Sequence, residues 1–245
     1  MICKWEELPP KMQNDSVLPY YKILKEKNVS LFFVRMFDIV VSFLMLVILS
    51  PIFLVLAVAI KLDTKGPVFF RQVRITQYGK EFKIHKFRSM VNDASKGAAV
   101  TANNDSRVTR VGRFIRKYRL DEICQLIDVL SGNMTFVGTR PEVPKYTASY
   151  TEEMLATLLL PAGVTSEASI FFKDESELLN DSENIDGDYI EKVLPQKMLY
   201  NISALKKFGF WYTIKIMIMT VLAVLGKEYK PEHITIEKEK EEATV

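Results

Sequence analysis

The chain has 245 residues, 48% hydrophobic and 26% charged, with ten Gly and ten Pro, a composition that excludes a disordered or collagen-like chain and leaves room for one domain plus an appendage. Two cysteines (Cys3, Cys124) and two histidines (His85, His233) are too few and too distant for a disulfide framework, a Cys/His metal site or a Ser-His-Asp triad. That removes most hydrolase readings and fits a reducing cytosolic setting. The net charge of +3 hides an asymmetry: Lys61 to Arg119 carries 15 Lys/Arg against 4 Asp/Glu, whereas Thr151 to the end carries 10 against 17. The first segment suits phosphates or an anionic membrane surface, and the second does not.

In chain order, residues 1–30 contain Trp5, Pro9 and Pro10 and read as a loosely ordered arm, a contact for a second copy in a homodimer or for another partner. Ile39 to Ile60 then runs 22 residues without a charge, long enough to cross a bilayer. It begins too far in, and is too long, for a cleavable signal peptide. Basic residues flank both ends, Lys22, Lys25, Lys27 and Arg35 before it and Lys61, Lys65, Arg71, Arg74 and Lys80 after it, so both ends read as cytoplasmic. Ser50-Pro51 interrupts the run near its centre, where proline lacks an N–H and clashes with the preceding turn. Each leg then reaches roughly 15–18 Å, about half of the ~30 Å hydrocarbon core. Two readings stay open: a kinked single span, or a helix-break-helix that enters and leaves one face. Arg35 and Asp38, three apart at the entry, can pair with each other or engage headgroups.

Beyond the apolar run the pattern changes to period two. Gly66-Pro67 opens Val68 to Arg74, and Glu81 to Arg88 follows a turn at Gln77-Tyr78-Gly79, which predicts a basic β-hairpin. His85 reads as a strand-face residue. The next block, 104 to 119, spaces Arg107, Arg110, Arg113 and Arg116 three apart, so a helix lines them along one side. Leu120 to Leu130 follows as an amphipathic helix with Asp121 and Glu122 at its N-terminal end. Those carboxylates can simply answer the helix dipole. They can also take two jobs, since adjacent helical residues point about 100° apart: one attacks while the other holds a metal. Val137 to Glu142 (VGTRPE) is a turn-rich loop that grips a diphosphate or merely connects elements. Phe208 to Leu225 is too short and too marked by Lys215 for a confident span, and reads as an interfacial helix with Trp211 and Tyr212 at headgroup depth. The tail from Glu237 is a solvated charge run.

Taken together, Arg35-x-x-Asp38, Ser50-Pro51, Gly66-Pro67-Val68-Phe69-Phe70-Arg71-Gln72, Lys86-Phe87-Arg88-Ser89-Met90, Leu120-Asp121-Glu122 and Val137-Gly138-Thr139-Arg140-Pro141 occur in order. The chain thereby resembles the bacterial sugar transferase family, the monotopic phosphoglycosyl transferases that begin surface-glycan assembly, from Arg35 to about Leu225. It departs from the family pattern at Thr76, Ser106 and Thr139, and at Ala162 to Ser166, a region expected to vary with the sugar donor.

The resemblance implies a re-entrant hairpin broken at Ser50-Pro51, anchored near Arg35 and Asp38, at the cytoplasmic face of the bacterial inner membrane. It implies transfer of a sugar-1-phosphate from a UDP-sugar to a polyprenyl phosphate, with UMP released. On that reading Asp121 attacks the donor through a covalent intermediate and Glu122 helps hold Mg²⁺. Arg88, Arg107, Arg110, Arg140 and Pro141 bind substrate, Arg88 and Arg140 being favoured as phosphate clamps because a guanidinium fork matches phosphate oxygens. The expected class is α/β in the α+β sense and mostly helical. Its segments are an arm (1–30), a re-entrant membrane helix (31–61), a cytoplasmic catalytic domain with a short hairpin (62–205), an interfacial helix (206–226) and a charged tail (227–245). The competing readings are a glycosyltransferase that releases UDP and a non-enzymatic monotopic scaffold; a nucleic-acid reader is disfavoured by the apolar segment.

Overall fold

The computed structural model of the chain describes residues 2–91, 107–172 and 184–229; residues 104–106, His233 and the tail from 237 fall outside them. The chain is mostly helical with two small sheets, and the first departure from expectation comes at its start. Short 3-10 turns at Trp5–Glu7 and Pro10–Met12 lead into helix α1, Leu18–Glu26. Val17, Tyr20, Tyr21 and Leu24 are spaced one helical turn at a time and are all buried, together with Ile2, Leu8 and Met12. Tyr21 donates its hydroxyl to the Cys3 carbonyl at 3.0 Å, and the Cys3 N–H donates to the Tyr78 hydroxyl at 3.0 Å. Tyr20 bonds Glu153 at 2.6 Å. The arm is therefore part of the main core, because its aromatic and aliphatic side chains repeat with the helical period and bury one stripe.

Helix α2 runs unbroken in its secondary structure from Asn28 to Asp63, 36 residues with Pro51 inside. Proline deprives the Val47 carbonyl of its usual partner four residues on, and the Ser50 hydroxyl donates to that same carbonyl at 2.8 Å. The pair thus repairs the ladder it interrupts. Burial divides the helix into three parts. Val34, Asp38 and Ser42 are buried in its first leg, Leu56 and Ile60 in its last, while Phe43, Leu44, Val47, Ile48, Leu54 and Val55 between them are exposed. Both legs rest on the same body. Arg35 reaches the carbonyls of Val129 and Leu130, and Ile60 packs in one cluster with Phe87, Ile115 and Cys124.

The hairpin is present as expected: β1 (Phe69–Ile75) pairs antiparallel with β2 (Glu81–Phe87), Arg71 opposite His85. Its turn holds Tyr78 and Gly79 at positive φ. Helix α3 (Arg110–Lys117) is capped by Thr109, whose hydroxyl accepts the Gly112 N–H at 2.9 Å. A 3-10 turn (Leu120–Glu122) precedes helix α4 (Gln125–Ser131), which ends on Gly132 at φ 86. Asp121 and Glu122 therefore sit in a tight turn ahead of the helix, not within it. Strand β3 (Met134–Val137) and strand β4 (Ala162–Thr165) form a parallel pair. A Cβ on Gly163 would fall 2.2 Å from Gly138 backbone, so this close crossing requires glycine. Short helices α5 (Pro144–Thr147), α6 (Glu167–Phe171) and α7 (Ile185–Asp188) and a π turn (Tyr189–Val193) lead to helix α8 (Leu194–Lys207). The last helix, α9 (Phe210–Val224), buries Thr213 and Ile216 and leaves Trp211, Ile218, Val221 and Val224 exposed. Tyr212 departs from expectation: it packs inward with the β3–β4 cluster, away from the face that carries Trp211.

If the arm is structural, a truncation confined to it must destabilise the whole body. Leu24→Ala should lower stability by about 3 kcal/mol, as large-to-small core changes do, read by thermal unfolding of the detergent-solubilised protein. A loosely tethered arm would leave the transition unmoved.

Candidate active site

The turn at Leu120–Glu122 is entered through Arg119 in the left-handed region at φ 52, a conformation that costs a non-glycine residue about 1–2 kcal/mol. It aims two adjacent carboxylates into different surroundings. Glu122 is gripped by both terminal nitrogens of Arg140, and Lys86 Nζ stands 3.2 Å from its Oε1. Burial by itself pushes this carboxyl up, but Arg140 and then Lys86 outweigh it and hold the group well below the ordinary carboxylate range. The Asp121 carboxylate has no side-chain hydrogen-bond or ion-pair partner among the described residues and is met only by its own backbone N–H, while the Asp121 carbonyl accepts from Cys124 Sγ at 3.2 Å. Burial raises the carboxyl, the Glu122 charge adds to the rise, and Lys86 and Arg116 act against it. Neighbouring carboxylates are thus driven in opposite directions, the pattern by which a site separates roles. Cys124, three residues on, is no rival nucleophile: burial pushes its thiol up to about 12.

Of the expected phosphate ligands, Arg140 stands at this centre and Arg88 is used differently. Arg88 is 4% exposed and donates to the carbonyls of Lys65, Thr64 and Ile60, at 2.7, 2.7 and 3.3 Å. Those carbonyls stand at the end of α2, where few backbone donors are available, so the guanidinium closes a helix and not a substrate clamp. Pro141 is buried, and its carbonyl accepts from Arg74 Nη1 at 3.1 Å; it shapes the loop behind Arg140. Arg107 precedes α3, and Arg110 stands exposed in its first turn. At that turn the Val111 N–H donates to the Asp63 carboxylate at 3.0 Å, and this bond, with the Arg110 and Arg113 charges, holds Asp63 low. The α3 residue whose charge reaches Asp121 is Arg116.

Arg35 and Asp38 neither pair with each other nor stand free for headgroups. Arg35 donates to Val129 and Leu130 carbonyls at 2.6 and 2.9 Å, capping α4. Asp38 accepts the Thr135 hydroxyl at 2.7 Å and the Phe136 N–H at 3.3 Å. The two residues therefore bolt the first leg of α2 to α4 and β3.

Lys86, Arg116 and a His85–Asp128 pair are the features that sequence reasoning missed. Asp128, 1% exposed, accepts the His85 backbone N–H and meets its Nδ1, both at 2.8 Å. That contact ties His85 to α4 through both main chain and ring. Gln125, one turn beyond Asp121, is 1% exposed with neither amide atom paired among the described residues. A period-two strand beside a downstream helix is the only signal that could have linked His85 to Asp128.

No cluster of three or more metal-ligating side chains occurs among the described residues. The donor set at the turn is two carboxylates, one already held by two cations. This suits Mg²⁺ only in its usual manner, one or two carboxylates with substrate phosphates completing the shell; it is not a preformed cage.

The family model for Bacterial sugar transferase matches residues 29–227. The chain is 36% identical over 199 residues to the UDP-glucose:undecaprenyl-phosphate glucose-1-phosphate transferase of Klebsiella pneumoniae, covering 79% of this chain and 40% of that one. It is 44% identical over 121 residues to a putative undecaprenyl-phosphate N-acetylgalactosaminyl 1-phosphate transferase of Bacillus subtilis (strain 168), covering 49% and 68%. The uncharacterized sugar transferase EpsL of the same organism is 31% identical over 207 residues, covering 83% and 94%. The chain spans about two fifths of the length of the glucose-phosphate transferases it matches.

The depressed Glu122 carboxyl makes a stability test. Because its folded value lies below the ordinary 4.5, its contribution is complete above that pH and is lost as pH falls toward the folded value. Arg140→Met brings the folded value back up, so the fall in melting temperature between about pH 5 and 3 should become shallower than in wild type. An unchanged acid slope would mean that Arg140 does not hold Glu122.

Proposed function

This chain belongs to the bacterial sugar transferase family, and from that premise we propose that it transfers a sugar-1-phosphate from a UDP-sugar to a polyprenyl phosphate such as undecaprenyl phosphate. The observation that carries the reading is the split pair: Glu122 is neutralised by Arg140 and Lys86, while the carboxylate of its neighbour Asp121 is left without a side-chain partner. A free carboxylate beside Lys86 and Arg116, with Arg140 on the adjacent residue, is what an attack on a diphosphate needs.

In the first half-reaction, an Asp121 oxygen forms a bond to the β-phosphorus of the donor, and the bond from that phosphorus to the bridging oxygen breaks, releasing UMP. The product is an acyl-phosphate to the sugar on Asp121. In the second, an oxygen of the lipid phosphate attacks the same phosphorus and the bond to the Asp121 oxygen breaks, leaving polyprenyl diphosphate-sugar and the free carboxylate. Arg140, Lys86 and Arg116 are the cations placed to meet the phosphate oxygens. Glu122 is the residue that would hold Mg²⁺ with the donor diphosphate, exchanging its grip on Arg140 and Lys86 as those turn to phosphate. When bound, Mg²⁺ supplies charge that offsets the diphosphate and improves UMP as a leaving group.

Arithmetic on α2 supports seating at one membrane face. From Arg35 to Ile60 a straight helix covers about 37 Å, whereas the seven residues of α4 cover about 10 Å. Yet Arg35 meets the end of α4, and Ile60 packs in the cluster that holds Cys124 at its start. A helix whose legs return to one small body dips into a bilayer and comes back, with Ser50-Pro51 at the turning point. The basic residues on both flanks of the apolar run favour the cytoplasmic face of the inner membrane, and on this reading Asp121 lies near the depth of a lipid phosphate. The product then enters capsule, exopolysaccharide or O-antigen type assembly.

Intact mass after incubation with Mg²⁺ and a panel of UDP-sugars, without lipid acceptor, tests the mechanism. Wild type should gain one sugar-phosphate and release UMP, and Asp121→Asn should gain nothing. Because Asp121 titrates above its ordinary 3.8 and only the ionised form attacks, adduct formation should rise with pH through that raised value. An adduct that survives in Asp121→Asn, or UDP as the released nucleotide, would overturn the reading.

A further inference from the structure

Behind the loop that carries Arg140 lies a buried polar cluster to which the proposed chemistry assigns no task. Glu142 is buried, and its Oε1 accepts the Tyr189 hydroxyl at 2.5 Å. The Tyr189 oxygen in turn accepts from Lys197 Nζ at 3.0 Å, and the same ammonium stands 3.7 Å from Glu142 Oε1. Tyr189 and Lys197 are 2% and 4% exposed. From the other side, Arg74 Nη1 lies 4.0 Å from Glu142 Oε2 and donates to the Pro141 carbonyl. The Ile75 N–H completes the hold by donating to the Glu142 carbonyl at 2.9 Å. One strand, one π turn and one helix therefore converge on two consecutive residues, Pro141 and Glu142, directly after Arg140.

Stability is a weak reason for such a cluster, since a buried ion pair often contributes no more than apolar packing of the same volume. What the arrangement does supply is position. The carboxylate of Glu142 is fixed at both side chain and main chain, and Arg140, two residues earlier, must place a planar fork on Glu122 without covering Asp121. A fork tolerates little displacement, because both of its donors have to meet their acceptors at once.

We propose that Glu142, Tyr189 and Lys197 are positioning residues for Arg140, a buried bracket through which the C-terminal helix α8 sets the geometry of the catalytic turn. The proposal rests on the transferase reading for its activity measurement and is independent of it for its stability measurement. The groups that face Glu122 are Arg140 from the loop, Lys86 from β2 and Asp121 from its own turn. The bracket acts on the first of these alone.

Tyr189→Phe keeps the ring and its contact with Tyr146 at 4.6 Å and removes only the hydroxyl between Glu142 and Lys197. Leu24→Ala is the control: Leu24 is buried in α1, an element that carries none of the cluster, so the change cuts a cavity and leaves the polar groups in place. In single-turnover adduct formation at saturating donor, Tyr189→Phe should be slower by about tenfold per folded molecule, whereas Leu24→Ala stays within about twofold of wild type. It should do so even while lowering the melting temperature at least as much. A wild-type rate in Tyr189→Phe, or the same loss of rate in Leu24→Ala, would overturn the bracket. Should wild type form no adduct with any donor, the transferase reading fails, and the bracket is judged by stability coupling alone. In a double-mutant cycle of Arg140→Met and Glu122→Gln at neutral pH, loss of the coupling in the Tyr189→Phe background supports it, and an unchanged coupling sinks it.

Discussion

The grip of Arg140 and Lys86 on Glu122 is the interaction on which the rest of the site depends. Two carboxylates on consecutive residues repel one another, and without a cation one of them would be driven toward its neutral form. Here the cations take one of them, and the asymmetry is what leaves the other available. The three participants come from β2, from the turn before α4 and from the loop after β3, so the site exists only where those three elements meet. Each is fixed by backbone chemistry of its own: the hairpin by its ladder, the turn by the left-handed Arg119, the loop by Arg74 and Ile75.

A second constraint comes from the helix that leaves the body and returns to it. An apolar segment in a bilayer must satisfy its own hydrogen bonds, which makes any bend expensive unless a side chain replaces what the backbone loses. Ser50 does this for the Val47 carbonyl that Pro51 cannot serve. At the helix ends the same need is met by arginines. Arg35 serves the end of α4 and Arg88 the end of α2, so the two legs are tied down through carbonyls at helix ends, where the backbone supplies few donors. The seating of the apolar helix α2 and the closure of the helices around it are one set of bonds.

How much of this was legible from the residues follows from the range of each interaction. The apolar run, the hairpin and the carboxylate pair are local patterns, and all three stand where the spacing placed them, with the turn at Asp121–Glu122 tighter than the helical period suggested. The arm was legible too, in the spacing of Val17, Tyr20, Tyr21 and Leu24, but its prolines drew attention first. What spacing cannot carry is the partner of a long side chain. Arg88 and Arg140 look alike in sequence, each beside a loop, and one closes a helix while the other meets Glu122. His85 and Asp128 are 43 positions apart, and nothing local to either announces the other. The parallel β3–β4 pair was hidden for the same reason: two strands of four residues each, distant in the chain, with a glycine at their closest approach.

The basic segment gives the same lesson a sharper form. Read as charge, Lys61 to Arg119 is a surface waiting for phosphate. In the fold, Arg88 is buried on carbonyls, Arg74 holds the loop, Arg110 and Arg113 stand by Asp63, and Lys86 is committed to Glu122. Much of the excess positive charge is thus structural wiring, and the cations left facing Asp121 are few. A site with few cations must hold them in place, because a diphosphate would otherwise draw them into any geometry that neutralises it, productive or not. That is the physical reason for a bracket behind Arg140. The loop that carries Arg140 is also the one held from behind by a buried carboxylate, a tyrosine hydroxyl and a lysine. A guanidinium on a fixed backbone can exchange Glu122 for phosphate by turning its side chain alone.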